Sequence, residues 1–135
     1  MSLACADVEG DGDLDLYVTN YRTETVRDDP HAKWRGEYVN GRPVVAAYNG
    51  RPVTHPDLVG RFTFDPSGKV LEHGEVDAFF RNEGDGTFTP IPFTSGNFLD
   101  EEGRPIQSLP PDWGLSCMFP HLNGPLAPDL YVRKR

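Results

Sequence analysis

The sequence predicts an all-β fold of antiparallel strands, and three observations carry that prediction. Glycine and proline supply 14 and 13 of the 135 residues, and they interrupt the chain so often that no helical window remains. The apolar runs between them are short and rich in β-branched and aromatic residues. Several of these runs are separated by Asn-Gly or Asp-Gly, which are hairpin signals. The length suits one domain with a modest core.

The first predicted element is an acidic loop between two short strands, residues 3–6 and 16–19. Its acidic residues occupy alternate positions and are Asp7, Glu9, Asp11, Asp13 and Asp15. Like charges this close repel one another, so the loop is costly without a cation. Calcium takes ~6–8 oxygen ligands, including a backbone carbonyl near position 7 of its loop. We therefore expect Ca²⁺ here, bound by the carbonyl oxygen of Asp13 and the carboxylates of the other four.

The acidic loop has two other interpretations, a metal-free surface turn and an EF-hand. A metal-free surface turn stays open, because Asp-Gly runs are ordinary turn signals. It would leave five carboxylates whose nearest basic residue in the sequence is Arg22. An EF-hand needs flanking helices and a bidentate Glu at loop position 12, where this chain has Val18 in a β-rich run. A calcium site between two strands is the better prediction, helped by the free backbone of Gly12 at position 6.

The rest of the chain predicts an antiparallel β meander. Turn signals stand at residues 40–41, 49–50, 65–68 and 85–86, each between extended runs. Residues 21–35 suit either a short helix or an irregular loop. Residues 92–114 are rich in Pro, Gly, Asp and Ser, and they predict a long connection.

Three stretches resemble a known repeat family. Residues 7–18, DVEGDGDLDLYV, resemble the calcium loop of FG-GAP/VCBS repeats, which build β-propeller blades in integrin α-chains and many bacterial surface proteins. Residues 79–89, FFRNEGDGTFT, resemble the hairpin of that family, and residues 113–115 with 129–132 resemble the next repeat. The pattern is similar to bacterial VCBS-repeat proteins that often carry an ASPIC/UnbV domain, although no stretch matches that domain. The resemblance implies the same five calcium ligands.

The resemblance also implies an organisation of about two β-propeller-type blades, a partial propeller with a long insertion. The whole chain is then a single repeat region. Its parts are a first motif at about 3–20, an insertion at about 21–75, a hairpin at about 76–92, a connection at about 93–114 and a second, degenerate motif at about 115–132. Propellers need ~4–8 blades. We therefore expect a piece of a longer repeat protein, whose open edges favour self-association.

A second copy of the loop can be aligned by setting residues 129–132 under residues 15–18. This places His121 under Asp7, Asn123 under Glu9 and Asp129 under Asp15. Histidine is a poor calcium ligand, and proline falls where the first loop has its third acid. We expect Asn123 and Asp129 to belong to a loop that no longer binds metal.

Net charge and cysteine content limit the classes of protein to which this chain can belong. The net charge of −8 disfavours nucleic acid, whose phosphates would be repelled. The sequence has neither a membrane-spanning run nor a signal peptide. Two cysteines make no disulfide framework, and we expect Cys5 and Cys117 to be small buried residues rather than a bonded pair.

The predicted function is that of a non-enzymatic, calcium-binding β-repeat module in an extracytoplasmic protein, which is secreted, periplasmic or at the cell surface. Its role would be adhesion, recognition or scaffolding, with an unknown protein or carbohydrate partner and a structural Ca²⁺ of weak affinity, on the order of 10⁻⁴–10⁻³ M. The alternative is a scaffold segment of a larger secreted enzyme, such as a polysaccharide-active protein. Its candidate residues, His73, Glu75, Asp77 and Asp112, are equally explained as loop and turn residues.

Overall fold

The computed structural model describes residues 1–100, 102–108, 113–122 and 127–134. The described residues form antiparallel sheets without an α-helix, so the all-β prediction is confirmed. In chain order the strands are β1 (Ser2–Ala6), β2 (Asp15–Thr19), β3 (Trp34–Val39), β4 (Arg42–Tyr48), β5 (Arg51–Pro52), β6 (Phe62–Phe64), β7 (Val70–Glu72), β8 (Ala78–Asn82), β9 (Phe88–Pro90), β10 (Gly114–Met118) and β11 (Tyr131–Lys134). A 3-10 helix spans Phe93–Ser95. None of the helical segments in these ranges is long and apolar enough to cross a membrane.

The chain divides into two compact units. The first unit combines Met1–Tyr21 with Val76–Arg135, and the second is Arg22–Glu75. In the first unit, β1, β2, β8 and β9 form one four-stranded sheet in that order, and β10 pairs with β11. In the second unit, β3, β4 and β5 form a three-stranded sheet and β6 pairs with β7. Each unit has a core of its own.

The core of the first unit lies on one face of the four-stranded sheet. Strand β2 alternates fully buried and half-buried residues, so Asp15, Tyr17 and Thr19 all point to that face. Tyr17 is 2% exposed, and its ring makes edge contacts with Phe93 at 5.9 Å and with Phe119 at 6.4 Å between centroids. Burying an aromatic side chain of this kind contributes about 1.5–3 kcal/mol.

The two cysteines lie on opposite sides of this sheet. Cys5 pairs with Leu16 in the β1–β2 ladder and is exposed, so the prediction that it is buried was wrong. Cys117 is half-buried on the core face, where its Sγ lies 3.8 Å from the carbonyl oxygen of Tyr17. Both thiols are free. An apolar neighbourhood in the sequence does not decide burial in a strand, because alternate residues face opposite sides.

The second unit follows the predicted turns. Asn40 and Gly41 have φ of 50° and 76°, as a two-residue hairpin turn requires, and they join β3 to β4. Its core centres on Val45, Leu58 and Phe62, and the rings of Trp34, Tyr48 and Phe62 contact one another at 4.6–5.0 Å between centroids. Residues 22–33 are irregular, which favours the loop over the short helix for this stretch.

A phenol–carboxylate hydrogen bond fixes the end of β2 in the first unit. The Tyr17 hydroxyl donates to Asp77 Oδ2 at 2.8 Å, and the Asn20 backbone N–H donates to Asp77 Oδ1 at 2.8 Å. Burial, and then Asp77, raise the pKa of the Tyr17 phenol far above its ordinary value. The phenol is therefore neutral and a donor in the folded protein at any ordinary pH.

Tyr17→Phe is expected to lower the free energy of unfolding by about 2 kcal/mol at neutral pH, because a hydrogen bond to a charged group is lost. The folded-state pKa is the raised one, so wild-type stability from this group is complete below the unfolded pKa of ~10 and declines above it. The difference between wild type and variant should therefore shrink above about pH 10. Urea titrations of wild type and Tyr17→Phe, at neutral pH and above about pH 10, measure this difference in stability. The control is Tyr131→Phe, at a half-exposed tyrosine, which should change the stability little.

Candidate metal site

The acidic loop joins β1 to β2, and Asp15 fastens it to the sheet. Asp15 is 3% exposed at the first position of β2. Its Oδ2 accepts the Val8 N–H at 3.0 Å, and its Oδ1 accepts the Asn82 N–H at 2.9 Å. The side-chain amide of Asn82 also donates to the carbonyl oxygen of Leu14 at 3.2 Å. One buried carboxylate thus holds the start of the loop, the end of the loop and the end of β8 together.

The first residue of the loop organises its backbone. Asp7 Oδ1 accepts N–H groups from Gly10 at 2.7 Å and Asp11 at 3.1 Å, and Asp7 Oδ2 accepts the Gly12 N–H at 2.9 Å. Gly10 and Gly12 have φ of 76° and 94°, values that side chains disfavour. Each carboxylate oxygen has two lone pairs, so Oδ2, which accepts one N–H, can still face a cation, whereas Oδ1 already accepts two.

The three remaining acids of the loop point to different neighbours. Asp11 Oδ1 accepts the Asp13 N–H at 3.0 Å. The Asp13 carboxylate lies against the turn after β8, where a Cβ on Gly84 would come within 2.7 Å of Asp13 Oδ2. Glu9 Oε1 lies 3.8 Å from a guanidinium nitrogen of Arg81. The side chain of Asp13 thus faces the hairpin rather than its own loop.

The donor types suit calcium, but the carboxylates do not surround a common point. Four aspartates and a glutamate supply only hard oxygens, which calcium prefers. Within the ranges described, which contain all five of these residues, no three His, Cys, Asp or Glu side chains are close enough to hold a metal ion. The backbone winding and residue types therefore fit the ion, while the side chains would have to turn inward to bind it.

The sequence did not reveal Arg81 as a neighbour of the loop. The nearest basic residue along the chain, Arg22, lies in the second unit, where its guanidinium contacts the carbonyl oxygens of His73 and Gly74. Arg81 comes from β8 and approaches only because β8 pairs with β2. The resemblance of residues 79–89 to a repeat hairpin is a signal that could have placed this segment near the loop.

The described part of the second, degenerate motif shares two contacts with the first. Met118 pairs with Tyr131 in the β10–β11 ladder, just as Ala4 pairs with Tyr17 in the β1–β2 ladder. Asp129 Oδ2 accepts the Leu122 N–H at 2.7 Å, and this bond spans seven residues, like the bond from Val8 to Asp15. Asn123 lies outside the described residues.

The candidate catalytic residues have structural partners. Both carboxylate oxygens of Asp77 accept hydrogen bonds, from the Tyr17 hydroxyl and the Asn20 N–H. His73 Nε2 lies 2.7 Å from Thr63 Oγ1, and Glu75 lies 3.5 Å from the guanidinium of Arg22. Asp112 lies outside the described residues. The contacts of the three described residues are those of loop and turn residues.

Comparisons of the chain with family models, curated proteins and solved structures gave no match. The resemblance to FG-GAP/VCBS repeats therefore remains a prediction from the residues that carry it. A functional proposal for this chain has to rest on its own sequence and geometry.

Proposed function

We propose that the chain is a non-enzymatic β-repeat module whose acidic loop binds one structural Ca²⁺, within an extracytoplasmic adhesion, recognition or scaffold protein. The observation that carries the proposal is the position of the loop. It closes the β1–β2 hairpin of a four-stranded sheet, and the buried carboxylate of Asp15 ties it to β8. A cation held there would clamp two strands of one sheet and the hairpin beside them.

The chemistry of the loop supports calcium as that cation. Bound calcium would supply positive charge that offsets the mutual repulsion of the carboxylates. Asp7 and Asp15 are already fixed by backbone N–H groups, so their ordering would add little entropic cost to binding. Glu9 and Asp11 are more exposed, and they would turn inward as the remaining carboxylate ligands. The ligand expected from Asp13 is its carbonyl oxygen, which agrees with a side chain directed at Gly84.

The sheet order supports a repeat architecture. Strands β1, β2, β8 and β9 run antiparallel in sheet order, interrupted in the sequence by the second unit. Four antiparallel strands make one β-propeller blade. The matching register of β10 and β11 supports a second copy of the motif, and thus about two blades with an insertion. Open strand edges in such an array favour contacts with a protein or carbohydrate partner, or with a second copy of the chain.

Calcium is expected to raise the thermal midpoint of the first unit, and Asp11→Ala is expected to abolish the rise. With an affinity near 1 mM, about 10 mM Ca²⁺ should add about 1.4 kcal/mol of stability, or about 8 °C for a unit of this size. Calorimetry in Ca²⁺ and in chelator measures this, with Mg²⁺ at equal concentration as the control for screening. Glu102→Ala, which removes an exposed carboxylate paired with Arg104, should keep the full rise. An unchanged wild-type midpoint would contradict the proposal.

A further inference from the structure

Arg81 places a positive charge between the acidic loop and the hairpin turn after β8. Its guanidinium lies 3.8 Å from Glu9 Oε1 in the loop. It also donates to Glu83 Oε1 from Nε at 3.0 Å and from Nη2 at 2.8 Å. The three side chains are 31–45% exposed, so they are in contact with solvent while held in one group.

Two hydrogen bonds to Glu83 hold the Arg81 guanidinium beside the loop, whatever the direction of the Glu9 side chain. A guanidinium that donates from two nitrogens to one carboxylate oxygen is restrained in orientation as well as in distance. Glu83 foremost, and to a smaller extent Glu9 and Asp15, raise the pKa of Arg81. Glu9 is one of the expected calcium ligands and lies 3.8 Å from the guanidinium, so the charge of Arg81 already interacts with the loop.

We infer that Arg81 is an internal counter-cation of the acidic loop, and that it competes with calcium for Glu9. The inference rests on the calcium site proposed above and deepens it. In the metal-free loop, Arg81 offsets part of the carboxylate charge. When calcium binds, Glu9 leaves the guanidinium, and two cations then share the same small region. Arg81 therefore weakens calcium binding and keeps the loop folded at low calcium concentration.

The size of this effect follows from the charges and their surroundings. A divalent ion bound by Glu9 and its neighbours would repel the guanidinium held beside Glu9, in a largely aqueous environment. Partial exposure and salt reduce the repulsion further. We expect Arg81→Gln to tighten calcium binding about fivefold at low ionic strength, and the gain to disappear near 1 M salt, where the Debye length is about 3 Å.

The test is a calcium titration of the full chain by isothermal calorimetry, at low and at high salt. The variants are Arg81→Gln, Arg81→Lys and the matched control Arg104→Gln. Arg104 is also an arginine paired with two nearby carboxylates, Asp100 and Glu102. The control should keep the wild-type dissociation constant within twofold. Arg81→Lys keeps the charge and should bind like wild type or up to twofold more tightly, so a fivefold gain in this variant would contradict the competition even if Arg81→Gln does not fold.

The outcomes distinguish the competition by Arg81 from the calcium site on which it rests. Calcium binding that is equal in wild type and Arg81→Gln overturns the competition and leaves the calcium site standing. Binding by Arg81→Gln alone supports the competition and shows that Arg81 itself is the cation of the native loop. Absence of binding in every variant overturns both proposals. A gain that persists at 1 M salt also overturns the competition, because its basis is electrostatic.

Discussion

Glu72→Gln should destabilise the second unit by about 3 kcal/mol, because it leaves a buried guanidinium without its counter-charge. The Glu72 side chain is 6% exposed and that of Arg61 is 14% exposed. Glu72 Oε1 accepts from Arg61 Nε at 2.8 Å and from Nη2 at 2.6 Å, while its Oε2 accepts the Val26 N–H at 2.9 Å. The carboxylate therefore neutralises Arg61 and also holds the irregular segment before β3.

A second arginine increases this cost. Burial first, and then the charge of Arg61, lower the pKa of Arg22, so the two guanidinium groups already repel each other. Glu72 is a carboxylate that acts on both of them. The Arg61 guanidinium also stacks over the rings of Tyr48 and Phe62, at 5.6 and 5.0 Å from their centroids. Without the charge of Glu72, this stacking does not offset the cost of burying the guanidinium.

The measurement is urea unfolding followed by the fluorescence of Trp34, in a Trp113→Phe background so that the signal reports the second unit. The matched control is Glu75→Gln. Its carboxylate is 52% exposed and lies 3.5 Å from Arg22, so the change should stay within about 0.5 kcal/mol. Replacing both Arg61 and Glu72 by Met should recover much of the loss, since an apolar pair leaves no buried charge. A Glu72→Gln variant as stable as wild type would refute this account of the pair.

The features predicted correctly from the sequence are local ones. Asn40-Gly41 joins β3 directly to β4, and Asp85-Gly86 lies within the turn of residues 83–87 that joins β8 to β9. The acidic loop is of the same kind, because Asp7 caps the backbone within five residues of itself. Such contacts depend on spacing along the chain, which a single sequence displays directly.

The features missed from the sequence depend on pairing between distant segments. Nothing in residues 22–75 indicates that β2 pairs with β8 beyond them, and it is this pairing that brings Arg81 to Glu9 and Asn82 to Asp15. The exposure of Cys5 was missed for a related reason, since the face that a strand residue occupies depends on what covers each face of the sheet. The same limit applies to the loop, where the sequence shows which carboxylates are present but not the directions in which their side chains point.

Gly114→Ala should destabilise the first unit by about 3 kcal/mol, although alanine is ordinarily the better strand residue. Gly114 is buried at the first position of β10. A Cβ there would lie 2.7 Å from Asp77 Oδ1 and 2.9 Å from Thr19 Cβ. Thr19 is 0% exposed within the sheet, and Asp77 is held by the Tyr17 hydroxyl and the Asn20 N–H, so neither neighbour can move away cheaply.

The direction of the stability change in Gly114→Ala distinguishes the steric contact of the added Cβ from a backbone effect. The φ of Gly114 is outside the left-handed region, so without the contact alanine would stabilise the strand by about 0.5–1 kcal/mol. Gly36→Ala is the matched control, because Gly36 is also a strand glycine and its Cβ would lie 3.4 Å from Phe64 Cζ, close to an ordinary contact. It should change the free energy of unfolding by less than about 1 kcal/mol. A Gly114→Ala variant that gains stability in urea titration would mean that β10 does not pack this closely on β2 and Asp77.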